Sequence, residues 1–193
     1  MKSNLEIIKS NLKESAEVKS KIANTPELLE IIADCGQDIA NCLKNGHKIL
    51  ICGNGGSASD ALHFAGEIVG RFVTERNSLP AIALNADVAT LTAIANDYGY
   101  DEVFARPVRG YILPGDILFG ISTSGNSKNV INAVKEANKR GNETIVLTGK
   151  TGGELKSLAS KAIIVPSLCT ARIQESHICI IHSICEIIDS EIK

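Results

Sequence analysis

The chain lacks several features that would each have named a function class. No apolar run approaches the ~20 residues needed to cross a bilayer, so no membrane span is expected. Neither sign of charge dominates. Twenty Lys and Arg face 22 Asp and Glu, a net charge of −2, and that excludes the basic field that nucleic acid or an anionic membrane would need. The N-terminal stretch MKSNLEIIKSNLKES mixes charge with apolar residues and carries no apolar block behind a basic tip, so no secretory signal is expected. The six cysteines, Cys35, Cys42, Cys52, Cys169, Cys179 and Cys185, include no CxxC pair. Most sit in apolar periodic segments, which predicts reduced core residues in a cytoplasmic protein. There is no linker, internal repeat or low-complexity segment. The 193 residues therefore predict one domain, 1–193, with an ordinary core.

What is present begins with two helical patterns. Leu5, Ile8, Leu12 and Ile22 fall near one face of a helix over 3–22. Asn24-Thr25-Pro26 interrupts it. Thr25 can cap a second helix, with Pro26 in its first turn and Glu27 favourable there. Leu28, Leu29, Ile32, Cys35, Ile39 and Leu43 continue that helix to Asn45-Gly46, a suitable end. Nothing in 3–45 suggests chemistry, and the pair is expected to join subunits. The pattern changes at Lys48. Strand-length apolar runs at 49–52, 81–84, 117–121, 144–147 and 163–165 alternate with helix candidates at 58–72, 87–96, 127–140, 153–160 and 171–190. Such alternation predicts an α/β core over 48–193, with a parallel sheet covered by helices on both faces. Ligands then bind beyond the carboxyl ends of the strands.

Two loops lie at such ends, and a third follows a helix. Gly53-Asn54-Gly55-Gly56-Ser57 joins the first strand to a helix. Its spacing fits neither the dinucleotide fingerprint nor a P-loop. Ser122-Thr123-Ser124-Gly125-Asn126-Ser127 follows the third strand and enters another helix. Capping by Ser124 or Ser127 accounts for one hydroxyl but not for four. Four hydroxyls and a glycine suit a phosphate ester. A single phosphate fits better than a nucleotide, since no lysine follows the loop. Residues 96–100, Asn-Asp-Tyr-Gly-Tyr, end a helix; Asn96 and Asp97 can meet sugar hydroxyls or simply terminate the helix.

The ionisable residues cluster on two helices. His63, Glu67 and Arg71 share a helical face. A Glu67–Arg71 surface pair is the plain interpretation. The apolar neighbours Leu62, Phe64, Ala65, Ile68 and Val69 instead suggest burial, and a buried Glu or His needs a partner or a task. His182 lies among apolar residues near the C-terminus, eight positions after Gln174. On one straight helix those Cα atoms stand ~12 Å apart. One metal ion could hardly take both from a single helix. Either Gln174 precedes the helix, or a neighbouring subunit supplies one of them, which predicts a site at a subunit interface.

The segments CGNGGSASDALHFAGE, ANDYGYDEVFARPV, ISTSGNSKNV and TARIQESHICIIH together resemble the sugar isomerase (SIS) domain family, and most closely its phosphoheptose isomerases. The resemblance covers nearly the whole chain. It implies a three-layer α/β/α sandwich with a five-stranded parallel sheet behind an N-terminal helical pair. It implies a homotetramer with active sites between subunits, and conversion of sedoheptulose 7-phosphate to D-glycero-D-manno-heptose 7-phosphate for heptose precursor synthesis. By the same resemblance Asn54, Gly55, Gly56, Ser57, Asn96 and Asp97 contact substrate, and Ser122, Thr123, Ser124 and Ser127 hold its phosphate. Glu67, Gln174 and His182 surround the reacting carbons. His63, Glu67, Gln174 and His182 match the family's zinc-ligand positions.

An enediol mechanism needs a base at carbon and an acid at oxygen. Glu67 is the expected base and His182 the expected acid/base. Zinc bound to both would make them poor free bases; it can polarise the carbonyl, hold structure or inhibit. Two other activities stay open. Some SIS proteins are non-catalytic regulators or scaffolds, including a relative that binds the bacterial replication initiator. Others isomerise different ketose phosphates, such as arabinose 5-phosphate.

Overall fold

Ser3 opens the first helix with a reciprocal cap. Its hydroxyl accepts from the Glu6 N–H, and the Glu6 carboxylate accepts from the Ser3 N–H, so two donors of the helix start are satisfied. The computed structural model describes residues 3–192. Helix α1 (Asn4–Ala23) is followed by α2 (Pro26–Lys44), which begins at the proline as its sequence predicts. The Thr25 hydroxyl does not cap α2, however. It donates to the Lys21 carbonyl and closes the end of α1 instead.

The sheet contains β1 (Ile49–Gly53), β2 (Ala81–Ala83), β3 (Ile117–Ser122), β4 (Glu143–Gly149) and β5 (Lys161–Val165). The spatial order is β2-β1-β3-β4-β5, and every pairing is parallel. The covering helices are α3 (Gly56–Val69), α4 (Val88–Tyr98), α5 (Ala105–Tyr111), α6 (Lys128–Lys139), α7 (Leu155–Leu158) and α8 (Thr170–Glu191). All five expected strands are present. Helix α5 and the short 3-10 turn Tyr100–Glu102 were not anticipated. Two arginines and Pro107 mask their period, yet Val103, Phe104, Ala105 and Val108 are buried.

Alternation along the strands makes the three layers. Ile49, Ile51, Ile117, Phe119, Ile121, Ile145 and Leu147 point to one face, where α2, α3 and α8 bring Ile39, Phe64, Ile68, Ile181 and Ile184. Leu50, Cys52, Leu118 and Val146 point to the other, against Phe104, Val108, Val130 and Val134 from α5, α6 and the turn before α5. Each such side chain contributes about 1.5–3 kcal/mol when fully buried. Phe64 and Phe119 meet edge to face at 5.1 Å, which adds about 1 kcal/mol. The helical pair shares the first of these cores, through Val18 and Ile22 of α1 and Ile32 and Cys35 of α2.

At the amino ends of the strands, the Asp116 carboxylate accepts from the backbone N–H groups of Lys48 and Leu113 and from the Lys48 ammonium. This buried charge is fully partnered. All six cysteines are free thiols. Four are buried as expected, and burial pushes Cys35, Cys52 and Cys185 up to about 12. Cys169 and Cys179 are exposed and correct the core expectation, because they fall on the outer side of the α8 region. Among the described residues no helix is long and apolar enough to cross a membrane.

Candidate active site

The chain leaves β1 toward β2 on one side and resumes at β3 on the other. That reversal opens a crevice at the carboxyl ends of β1 and β3. The register places Gly53 beside Ile121, so the glycine loop and the hydroxyl loop are neighbours. Asn54 ties them together. Its Nδ2 donates to Asn129 Oδ1, and Asn129 Nδ2 donates back to Asn54 Oδ1, both at 2.9 Å. The Tyr100 hydroxyl also donates to Asn54 Oδ1, at 2.9 Å. Asn54 was expected to touch substrate. Its carboxamide cross-links the glycine loop to the first turn of α6 and to the 3-10 turn at Tyr100.

Gly55 precedes α3, and Gly56 is its first residue. A Cβ on Gly56 would lie 2.2 Å from Gln174 Nε2, so this glycine is what allows the Gln174 carboxamide against the loop. Ser57, in the same first turn, is buried. In the hydroxyl loop Ser122 Oγ and Ser127 Oγ pair at 2.9 Å. Ser127 stands at the start of α6 but gives it no side-chain cap; its hydroxyl turns to Ser122 instead. Ser124 Oγ accepts from the Asn126 N–H. Thr123 and Ser124 are half-buried. Gly125 has φ 68, and a Cβ there would sit 1.9 Å from the Gly152 carbonyl oxygen. Backbone therefore stacks on backbone, fastened where the Leu155 N–H donates to the Gly125 carbonyl and the Glu154 N–H to Asn126 Oδ1. Asn96 and Asp97 lie in the last turn of α4 rather than in a loop. They are exposed, and Asn96 Nδ2 donates to Asp97 Oδ1.

The ionisable residues converge further along α3 and α8. His63 Nε2 stands 2.9 Å from Glu67 Oε1 and 3.4 Å from His182 Nε2. One ligand atom from each residue lies within 4.8 Å of the other two. The rings of His63 and His182 meet edge to face at 5.0 Å, and Phe72 covers His182 at 5.4 Å. Two imidazoles and a carboxylate are suitable zinc donors. A tetrahedral ion with bonds of about 2.1 Å holds its ligands roughly 3.4 Å apart, and this cluster approaches that spacing. The three residues fit such an ion and leave a coordination position open. The face is less enclosed than the apolar neighbours predict: the side chains of His63 and Glu67 are 43% and 24% exposed.

The structure closes two of the alternatives that the sequence leaves open. Helix α8 begins at Thr170, so Gln174 lies inside it. Within one chain Gln174 packs on Gly56, two helical turns away from His182, and does not join the cluster. Arg71 does not pair with Glu67. Helix α3 stops at Val69, and Arg71 meets Glu75 at 3.3 Å in solvent.

Other residues escaped sequence reasoning. Asp60 precedes His63 by three positions, a helical spacing that puts it near the same face. Burial pushes its carboxyl up to about 6, and the neighbouring His63 pulls it the other way. Asn129, Tyr100, Phe72, Arg76 and Asp189 are the rest; their partners lie too far along the chain for spacing to reveal.

Residues 12–149 match the family described as SIS domain. A phosphoheptose isomerase from Aliarcobacter butzleri is 53% identical over 186 residues, 93% of this chain and 98% of that one. The structure of a phosphoheptose isomerase from Neisseria gonorrhoeae superposes with a TM-score of 0.91 at 44% identity, covering 97% of this chain and all of the other. One from Francisella tularensis gives 0.93 at 41% identity over 98% of this chain. With the same sheet, the same helical pair and this identity across nearly its full length, the chain belongs to the phosphoheptose isomerase family of SIS domain proteins.

Proposed function

We propose that this protein is an aldose–ketose isomerase that converts sedoheptulose 7-phosphate to D-glycero-D-manno-heptose 7-phosphate, a step in heptose precursor synthesis. The convergence of His63, Glu67 and His182 in a member of this family carries the proposal. The reaction moves one proton from C1 to C2 and one between the two oxygens, through an enediol. Glu67 takes the C1 proton and returns it to C2. Its Oε1 faces His63, and Oε2 is the atom assigned to the transfer. His182 relays the oxygen proton. Ser122, Thr123, Ser124 and Ser127 bind the phosphate, while Asn96 and Asp97 meet sugar hydroxyls. Gly55, Gly56 and Ser57 shape the floor where the sugar passes.

A zinc ion would be held by His63, Glu67 and His182 and would supply a Lewis acid at the carbonyl oxygen in place of the His182 proton relay, since a coordinated imidazole is a poor base. Gln174 of a second subunit would be the fourth ligand of the substrate-free site, since the Gln174 of the same chain stays at Gly56. A homotetramer accounts for this sharing. Leu5, Ile8 and Leu12 of α1 are 79%, 55% and 67% exposed, a stripe suited to an interface between copies.

The direct test is incubation with sedoheptulose 7-phosphate in deuterated water, with C1 and C2 followed by NMR. An aldoheptose phosphate carrying deuterium at C2 supports the enediol route. Product without deuterium keeps the isomerase but overturns solvent-exchanging proton transfer. No product, with and without zinc, favours a sugar-phosphate-binding regulator.

A further inference from the structure

A buried ion pair behind the cluster has no part in the chemistry just described. Arg76 lies in the segment between α3 and β2, and Asp189 lies near the end of α8, 113 residues away. Their side chains are 5% and 3% exposed, and Arg76 Nε donates to Asp189 Oδ1 at 2.8 Å. Of the remaining bonds, one runs from Arg76 NH1 to the adjacent Asn77 carbonyl at 3.2 Å, and the others go to two more distant pieces of backbone. Asp189 Oδ2 accepts from the N–H groups of Val73 and Thr74, each at 2.8 Å. The guanidinium donates to the Glu67 carbonyl through NH2 and to the Ile68 carbonyl through NH1, both at 2.9 Å. Those carbonyls belong to the last turn of α3, where a helix leaves acceptors unpaired and favours a cation.

The pair therefore fixes three things at once. It holds the backbone of Glu67. It fastens the segment that lays Phe72 over His182. It joins both to α8, two turns beyond His182 itself. We infer that Arg76 and Asp189 are positioning residues that hold Glu67 of α3 and His182 of α8 in register. This inference rests on the isomerase reading of the cluster, but its test need not.

Asp116 provides a matched control. It too is a buried carboxylate that accepts from two backbone N–H groups and one cation, at the start of β3 and with none of these partners on α3 or α8. Asp189→Asn and Asp116→Asn each set an N–H against a donor. Both variants are expected to melt below the wild type. Only Asp189→Asn is expected to lower kcat, by roughly ten- to a hundredfold, with KM within about twofold. In the metal-free protein it should also shift the imidazole C–H NMR signals of His63 and His182. Asp116→Asn should instead move only His47, which packs on Gly115.

Arg76→Lys is the second variant if Asp189→Asn does not fold. It keeps a cation at Asp189, loses the fork to the two carbonyls, and is expected to show the same kcat loss and the same histidine shifts. Equal kcat losses in the Asp189 and Asp116 variants would overturn the inference, because they would report lost stability alone. Unmoved His63 and His182 signals in either Asp189→Asn or Arg76→Lys would overturn it as well. If the wild type has no turnover, the isomerase reading fails, and the histidine signals still decide the positioning.

Discussion

The Nε2 atoms of His63 and His182 face each other at 3.4 Å, although 119 residues separate them in the chain. One shared proton can satisfy that meeting only partly, since His63 Nε2 also touches Glu67 Oε1. A cation satisfies all three groups. Zinc added to chelator-stripped protein should therefore raise Tm. At a free concentration near a hundred times Kd, the gain is about 2.7 kcal/mol. His63→Ala should abolish the rise, and an unchanged Tm in the wild type would remove zinc from the proposal.

Glu67→Gln keeps the shape of the side chain but cannot take a proton. Its kcat should fall by a factor of about a hundred or more. Substrate affinity, read by calorimetry, should change little. Retained turnover would show that Glu67 is not the base.

Ser127→Ala removes the hydroxyl that pairs with Ser122 and does not cap α6. A phosphate contact equally strong in the ground and transition states sets KM. The variant should raise KM by up to about tenfold with kcat preserved, the scale of one hydrogen bond. Steady-state kinetics separates this from a fall in kcat, which would place Ser127 in the chemical step.

Gln174→Ala and His182→Ala test the shared site. Each homo-oligomer should be inactive. Unfolding and refolding the two together should restore activity, because some interfaces would then carry Gln174 from one subunit and His182 from the other. Absence of complementation would argue that each site is built from a single chain.

His177 offers a stability prediction away from the chemistry. It is fully buried, and its Nε2 lies 3.0 Å from the Thr148 carbonyl oxygen. Burial pushes the imidazole from 6.5 down to about 4, although the carbonyl favours the protonated ring. Between those values the unfolded chain binds a proton that the folded chain refuses. The stability from neutral His177 is complete above pH 6.5 and is lost as pH falls toward 4, on the order of 3 kcal/mol. Denaturant melts of His177→Gln and wild type, compared from pH 7 to pH 4, should show the difference between them narrowing as the solution is acidified. A constant difference would mean that His177 does not titrate differently in the two states.

The sequence by itself determined the layers. Strand-length apolar runs at five places, separated by helical periods, already specify a parallel sheet covered on both sides, since no other arrangement buries both faces of such strands. The glycine and hydroxyl loops were legible too, because a strand–loop–helix order is local. Resemblance pointed to His63, Glu67, Gln174 and His182 as one group. Their meeting was beyond spacing to decide. His63 and Glu67 share α3, but His182 joins them only because α3 and α8 pack side by side on one face of the sheet. The same packing sends Gln174 to Gly56 instead. Tertiary structure alone also placed Asn129 and Tyr100 on Asn54 and brought Arg76 to Asp189. Local periodicity reports which face of an element is buried. It does not report which distant side chain waits there, and the partners that join α3 to α8 and Asn54 to Asn129 and Tyr100 are of that second kind.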